Sequence, residues 1–229
     1  LGVEFEKSLI NDITMSLNYT NEGGINRTVC LLKNIMGLWI YEECRRAWKK
    51  EGLTMSYDEM NAMAEAAKPF QAFIDVDDDS FYSPGNMPEK VISYCKRTAQ
   101  KAPEDIGGII RVVMESLAMK YKSSVDGLEK ITGKSIPVLH IVGGGCKNRI
   151  LNRYTANVLN RKVTAGPVEA TAVGNVLAQL IALKEISDVN QARDVVKRSF
   201  PTEEYLPEDT GIWEDAYDRY LQIIENPVG

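Results

Sequence analysis

The sequence predicts an α/β fold from one apolar run and from the alternation of strand and helix patterns after it. The run IPVLHIV, residues 136–142, has no acidic residue, lysine or arginine and is rich in β-branched residues. Such a run is typical of a strand buried on both faces. A helical pattern (148–159), a second strand (161–166) and another helical pattern (169–183) follow it. Alternating strands and helices indicate a layered sheet with parallel neighbouring strands.

The first half of the chain is predicted to be mainly helical. Residues 1–20 favour one or two strands, and the cluster TNEGGINRT then indicates a turn in which Gly23 and Gly24 can take positive φ. The apolar spacing from Leu31 predicts a helix to about residue 49, ended by Gly52. The remaining predicted elements are a short helix capped by Ser56 and Glu59, a short strand and loop from residue 73, a helix beginning near Pro88, a long amphipathic helix over 105–131, and two final helices over 189–200 and 211–225.

Composition excludes several classes of protein. The 229 residues are 44% hydrophobic and 26% charged, which is ordinary for a globular protein. The formal net charge is −5 and no basic face is visible, so nucleic acid is not an expected partner. No apolar run approaches the roughly 20 residues that span a bilayer, and no signal peptide is recognisable, so no membrane partner is expected either.

The cysteines and the single histidine exclude two further kinds of chemistry. Cys30, Cys44, Cys95 and Cys146 have no CxxC spacing, and His140 is the one histidine. A Cys/His metal site and a serine-type triad both need more than this. We expect a reduced, cytoplasmic protein in which His140, inside an apolar strand, is a core residue.

The bend after the apolar run is the strongest candidate site. Gly143, Gly144 and Gly145 lie between a predicted strand and a predicted helix. Free backbone N–H groups and the positive end of a helix meet at such a bend, and glycine lets a phosphate approach the backbone closely. The spacing is neither that of a Walker loop nor that of the dinucleotide fingerprint. The alternative is a tight turn with no ligand.

Three other features allow both a structural and a functional interpretation. The small-residue helix in residues 164–179 either supports the glycine bend or packs densely on the sheet. Asn34, among apolar residues, is either a buried amide bonded to the backbone or a contact to a polyhydroxyl ligand. The acidic run Asp75, Asp77, Asp78 and Asp79 lacks the spacing of a calcium loop and is interpreted as a solvated loop.

The motifs together resemble a known family. TNEGG, LKNIMGLW, EECRR, ESLA with KY, HIVGGGCKN and AGPVEATAVGN occur here in the order and spacing of the FGGY carbohydrate kinases, most closely of their rhamnulokinase branch. The resemblance covers the chain from about Leu1 to Pro207. It implies an actin/hexokinase-like (ribonuclease H-like) ATPase lobe. The enzyme is then expected to have two lobes, with a ketose and Mg-ATP (ATP with Mg²⁺) in the cleft between them.

The resemblance also implies an organisation and a reaction. Residues 1–229 would be the C-terminal nucleotide-binding lobe, with a mainly helical insertion over 31–102 and an α/β nucleotide-binding part over 103–200. The reaction would transfer the γ-phosphoryl group of ATP to the 1-hydroxyl of L-rhamnulose.

Site residues follow from the same motifs. The resemblance implies that Gly144 contacts ATP, with Gly143 and Gly145 shaping the turn and Asn148 closing the motif, and that Asn34 contacts the sugar. Many family members have glutamine where Glu42 stands, at a position that touches ATP. A carboxylate there would repel phosphates if it pointed at them.

Two parts of the family's machinery do not occur in this sequence. A GTWS-like turn that holds ATP phosphates and the catalytic aspartate are both expected upstream of Leu1, in an N-terminal lobe that this chain lacks. The isolated chain is therefore expected to be inactive. The alternatives are a kinase for L-fuculose, D-xylulose or glycerol, and a non-catalytic nucleotide-binding module.

Overall fold

A computed structural model describes residues 1–225, and the chain divides into two units. The first unit contains Leu1–Ile136 and the segment from Gly211, and the second contains Pro137–Thr210. In chain order the elements are β1 (Gly2–Phe5), α1 (Asp12–Ser16), β2 (Thr20–Gly23), β3 (Val29–Leu32), α2 (Trp39–Lys50), α3 (Tyr57–Ala66), α4 (Met87–Arg97), α5 (Ile106–Thr132), β4 (Val138–Ile141), α6 (Arg149–Leu159), β5 (Lys162–Ala165), α7 (Ala170–Ala182), α8 (Val189–Ser199), β6 (Glu203–Tyr205) and α9 (Thr210–Glu225). Short 3-10 turns occupy Ile25–Arg27, Asp79–Phe81 and Gly144–Lys147.

The first unit begins with a small antiparallel sheet in which β3 lies between β1 and β2. Leu31 pairs with Val3 on one side and with Asn21 on the other, and its side chain is fully buried. The predicted helix start at Leu31 is therefore wrong, because these residues extend to pair with two strands. The helix α2 begins at Trp39, after Gly37 has turned the chain at φ +62°.

The turn between β2 and β3 also differs from the prediction. Gly23 is the last residue of β2, and Gly24 has φ −99°. The positive φ values fall on Asn26 and Arg27, at 55° and 65°. Asparagine tolerates this left-handed region better than most residues.

Local capping signals mark the ends of α3 and α5. Ser56 and Glu59 form a reciprocal capping box at the start of α3. The side chain of Asp105 accepts the N–H of Gly108 at the start of α5, and Gly133 ends this 27-residue helix at φ +66°. The capping box and the long helix are confirmed.

The predicted strand near residue 73 does not form. Phe73 and Ile74 are completely buried, but their N–H groups donate to the side chains of Gln100 and Ser116, at 2.8 and 2.9 Å. Side-chain acceptors replace a neighbouring strand here, so an apolar, β-branched run is buried without joining a sheet.

The second unit contains a sheet in the order β4-β5-β6. The parallel pairing of β4 with β5 is confirmed, and β6 adds an antiparallel strand that the sequence pattern did not reveal. Burial of β4 on both faces is wrong, since His140 is exposed and the rest of the strand is only partly buried. Among the described residues β4 pairs only with β5. Because its side chain is exposed, His140 is not a core histidine.

The small-residue helix forms as α7, but not with the expected packing. Leu177 is its one buried residue, and Val176 is 56% exposed. A methyl group added at Gly174 would meet nothing within 4 Å. Dense packing of α7 on the sheet is therefore wrong for the part of the chain that the structure describes.

Candidate functional site

The glycine bend is a sharp turn at the end of β4. Gly143 has φ +77° and ψ −164°, which L side chains rarely adopt. A 3-10 turn over Gly144–Lys147 follows, and α6 begins at Arg149. The chain thus passes from strand to helix in a few residues, as the sequence predicts.

The loop after β5 supports this bend from the neighbouring strand. The N–H of Gly143 donates to the carbonyl oxygen of Pro167 at 3.0 Å, and the N–H of Gly166 donates to that of Ile141 at 2.8 Å. The Gly166–Pro167 peptide is cis, and Gly166 has φ +122°. A Cβ at Gly166 would lie 3.0 Å from the carbonyl oxygen of Pro201, so glycine is required by space as well as by φ.

Two asparagines make side-chain hydrogen bonds to the backbone just after the three glycines. Asn148 is the N-cap of α6, and its Oδ1 accepts the N–H of Leu151 at 3.1 Å. Asn152 is completely buried and donates from Nδ2 to the carbonyl oxygen of Cys146 at 2.8 Å. The structure thus places Asn148 in the predicted motif, with its side-chain oxygen used for capping. Burial raises the pKa of the Cys146 thiol, so this cysteine stays protonated at neutral pH.

The outer side of the bend is open. A methyl group added at Gly144 or Gly145 would meet nothing within 4 Å in the described chain, although neither glycine has the positive φ of Gly143. As the first residues of a 3-10 turn, both present amide N–H groups that have no acceptor inside the turn. Room and backbone donors are what a phosphate needs here, and the residues present therefore fit a nucleotide phosphate.

Asn34 lies in the first unit, in the Asn34 loop, which we define as residues 33–38 between β3 and α2. Its side chain is exposed, so the interpretation as a buried amide is wrong. The amide offers a donor and an acceptor to an approaching ligand. Further along the first unit, Glu42 lies in the first turn of α2.

The carboxylate of Glu42 is already engaged within the first unit. Arg45 Nε lies 3.3 Å from Glu42 Oε2, and the Arg45 guanidinium lies over the ring of Tyr57, 4.6 Å from its centroid. Burial and a hydrogen bond to Glu42 raise the pKa of Tyr57. The negative charge of Glu42 is therefore compensated by a neighbouring cation on the same helix.

The acidic run is not simply a solvated loop. Lys120 Nζ lies 3.1 Å from Asp75 Oδ1 and 2.8 Å from Asp77 Oδ2. Asp78 pairs with Arg97 at 2.7 Å, and Asp79 is exposed. These paired carboxylates lie partly buried, which the sequence analysis missed. The signal was the alternation of Ile74 and Val76, both fully buried, with the aspartates.

The described residues contain no metal-binding cluster, no membrane-spanning helix and no disulfide. Within residues 1–225, no group of three or more His, Cys, Asp or Glu side chains is arranged to hold a metal ion. None of the helices in that range is long and apolar enough to cross a membrane. All four cysteines are free.

Comparison with known proteins identifies the family. The profile of the C-terminal domain of the FGGY family of carbohydrate kinases matches residues 2–183. A rhamnulokinase of Bacteroides thetaiotaomicron is 42% identical over 98% of this chain and 45% of its own length. Rhamnulokinases of Bacillus subtilis and Enterococcus faecalis are 40% and 44% identical, over 91% and 90% of this chain and 42% and 41% of their own lengths. The chain thus spans less than half the length of these relatives.

Solved structures share the fold at low identity. A xylulose kinase from Lactobacillus acidophilus, crystallised with a ligand, superposes with a TM-score of 0.70 at 12% identity, over 98% of this chain and 44% of its own. A Plasmodium falciparum glycerol kinase with ADP gives 0.66 at 14% identity, over 100% and 46%. On the profile match and the identity to its relatives, the chain belongs to the FGGY family of carbohydrate kinases, whose C-terminal domain it matches.

Proposed function

We propose that this chain is the C-terminal lobe of an ATP-dependent kinase that phosphorylates L-rhamnulose on its 1-hydroxyl. In this proposal residues 31–102 form a mainly helical insertion and residues 103–200 the α/β nucleotide-binding part. The open glycine bend carries the proposal, since it combines room, backbone donors and a helix start at one place. Identity of about two fifths to proteins named rhamnulokinase supports the choice of sugar.

The nucleotide is proposed to bind with a phosphate against Gly144. The amides of Gly144 and Gly145 donate to the phosphate oxygens, and the bond from Gly143 to Pro167 keeps the bend in position. ATP supplies the phosphoryl group, and its Mg²⁺ neutralises phosphate charge. Protein-bound Mg²⁺ commonly keeps several waters and is held through substrate phosphates and only one or two carboxylates, so no dedicated cluster is required in this lobe.

The sugar is proposed to contact Asn34. Its exposed amide can donate to one hydroxyl and accept from another, which suits a polyhydroxyl ketose. Because the amide is exposed, losing one such bond costs about 0.5–1.5 kcal/mol, so an analogue without the paired hydroxyl should be used roughly 2- to 12-fold less well.

Glu42 is proposed to face a part of the nucleotide other than the phosphates. Its pairing with Arg45 and Tyr57 leaves a nearly neutral polar group, which suits a ribose hydroxyl or a base nitrogen. The electrostatic objection to a carboxylate at this position is then much weaker, because Arg45 compensates most of the charge.

The base that accepts the proton of the sugar hydroxyl and the other phosphate-binding turn are proposed to belong to the part of the protein matched by the remaining length of the relatives. Phosphoryl transfer depends mostly on positioning and charge stabilisation, so the isolated chain should not turn over. We further propose that the intact enzyme acts in the cytoplasm.

The decisive experiment measures sugar-dependent release of ADP by the full-length protein. L-rhamnulose is compared with L-fuculose, D-xylulose and glycerol at equal concentrations. We expect L-rhamnulose to give the highest kcat/KM. Preference for another sugar would keep the kinase and replace the substrate. If folded protein bound ATP but released no ADP with any sugar, a non-catalytic nucleotide-binding module would replace the kinase.

A further inference from the structure

The Asn34 loop has no regular secondary structure, yet it is attached at two points to one other segment. The N–H of Met36 donates to Asp77 Oδ1 at 3.0 Å. At the end of the loop, Trp39 Nε1 donates to the carbonyl oxygen of Phe81 at 3.0 Å. Both acceptors belong to residues 77–81, the segment that begins within the acidic run. The position of the loop therefore depends on a segment about 40 residues away along the chain.

Asp77 is in turn fixed by the long helix α5. Its second carboxylate oxygen, Oδ2, lies 2.8 Å from Lys120 Nζ, and this lysine side chain is 11% exposed. Asp75 Oδ1 contacts the same ammonium at 3.1 Å and also accepts the N–H of Asp77 at 3.1 Å. Burial alone would lower the pKa of Lys120, but the two aspartates outweigh it and raise the pKa. The lysine thus remains charged and holds both carboxylates.

The contacts of Asp75 and Asp77 with Lys120 are ion pairs, although apolar side chains in the same place would stabilise the fold equally well. Pairing charges in a partly buried place gives little net stability, because their desolvation offsets their attraction. It does fix geometry, since a carboxylate with one oxygen on Lys120 and the other on the Met36 amide has little freedom to move. The Met36 amide is two residues from Asn34, so a shift at Met36 moves Asn34 with it.

We propose that Asp77, with Lys120 as its counterion, is a positioning residue that sets the place of Asn34 against the sugar. This inference rests on the proposed function, in which Asn34 contacts the substrate. Lys120 and Asp77 then act on sugar affinity through the backbone of the Asn34 loop, without touching the sugar.

The test compares three variants of the full-length protein by steady-state kinetics and by hydrogen exchange. Asp77→Ala removes both contacts, and Asp77→Asn keeps an acceptor for the Met36 amide. Asp79→Ala is the matched control, since Asp79 is exposed and lies two residues away. The measurements are the KM for the sugar, the KM for ATP, kcat, and exchange at the Met36 amide.

We expect Asp77→Ala to raise the sugar KM by up to roughly 2- to 12-fold, since a displaced Asn34 loses at most the hydrogen bond that Asn34→Ala removes. The ATP KM should change less than about twofold, and Asp77→Asn should restore most of the sugar KM. Exchange at Met36 should accelerate in Asp77→Ala, be slower again in Asp77→Asn, and stay unchanged in Asp79→Ala. A purely structural role would lower the melting temperature and the active fraction with an unchanged sugar KM, and that result would overturn the inference.

Failure of the proposed function would be seen separately. If the unsubstituted protein phosphorylated no sugar, the proposed function would fall, and the role in sugar binding with it. The hydrogen-exchange experiment would still show whether Asp77 holds the Asn34 loop in position. Unchanged exchange at Met36 in folded Asp77→Ala would refute the positioning of the loop by Asp77, whatever the activity.

Discussion

Gly143 and Pro167, in the loops that follow two neighbouring parallel strands, are joined by a backbone hydrogen bond of 3.0 Å. The bond places the glycine bend at the carboxyl ends of β4 and β5, where open α/β sheets commonly bind ligands. It also explains why the AGP segment accompanies the glycines in this sequence. Gly166 permits the turn that brings the Pro167 carbonyl group to the bend.

Substitution at Gly144 should separate ligand binding from folding. Because a Cβ there meets nothing in the described chain, Gly144→Asp should leave the melting temperature within a degree or two. The new carboxylate would occupy the phosphate position, so ATP affinity should fall at least about 100-fold. Calorimetric titration of the full-length protein with ATP measures this.

The control for that experiment is Gly211→Asp. Gly211 is also exposed and open around its Cα, and it lies at the start of α9, outside the glycine bend. The Gly211→Asp variant should bind ATP with the affinity of the unsubstituted protein. Unchanged ATP affinity in Gly144→Asp would contradict the placement of the nucleotide.

Asn34→Ala should affect the sugar and spare the nucleotide. Losing one hydrogen bond to an uncharged hydroxyl costs about 0.5–1.5 kcal/mol, so kcat/KM for the sugar should fall roughly 2- to 12-fold for each bond lost. The side chain is exposed, and stability should not change. Kinetics with sugar varied at saturating ATP measures the effect, and an equal loss with ATP varied would argue against a sugar contact.

Glu42→Gln should improve ATP binding slightly. The change leaves the charge of Arg45 uncompensated and makes this end of α2 more positive. A partly exposed ion pair of this kind is worth about 0.2–1 kcal/mol, so the ATP KM should fall by less than about fivefold. Arg45→Gln should raise it. Both effects should shrink in 0.5 M salt because ions screen the interaction. A loss of ATP affinity in Glu42→Gln that does not depend on salt would show that the contact of the carboxylate with the nucleotide outweighs its charge.

Glu115 should make stability depend on pH. Burial raises the pKa of this completely buried carboxyl to about 7, against the opposing effects of Arg111, the N–H of Phe70 and Arg219. The folded state therefore holds a proton that the unfolded state releases between about pH 4.5 and 7. Stability from this group is complete below the unfolded pKa and decreases as the pH rises to about 7.

The measurement for Glu115 is urea unfolding between pH 5 and 8, with Glu115→Gln for comparison. The substituted side chain is uncharged at every pH and similar in shape, so the difference in unfolding free energy between the two proteins should change steadily over this range. A difference that does not depend on pH would show that Glu115 stays ionised in the folded protein.

Local sequence signals predicted much of this structure. The glycine bend, the capping box of Ser56 and Glu59, and the extent of α5 all depend on residues close together in the chain. Such features follow from φ preferences and from side chains that cap the helix beside them. The glycine part of the candidate site was visible for the same reason.

The predictions failed where contacts between residues far apart in the chain determine the structure. Leu31 lies in a strand because two other strands flank it, which helical spacing does not reveal. His140 is exposed because no other described residue covers its side chain on β4, and the apolar pattern of the strand does not show this. Asp77 is held by Lys120, 43 positions along the chain, so its alternation with buried residues was the only local sign.

The helix α9 has a consequence for the order in which the protein is made. Its Trp213 packs edge to face on Phe70, and its Tyr220 packs on Phe73 in the core of the first unit. A ribosome releases these aromatic partners only after the whole second unit has been translated. During synthesis, part of the core of the first unit therefore stays uncovered until the second unit, Pro137–Thr210, has been translated.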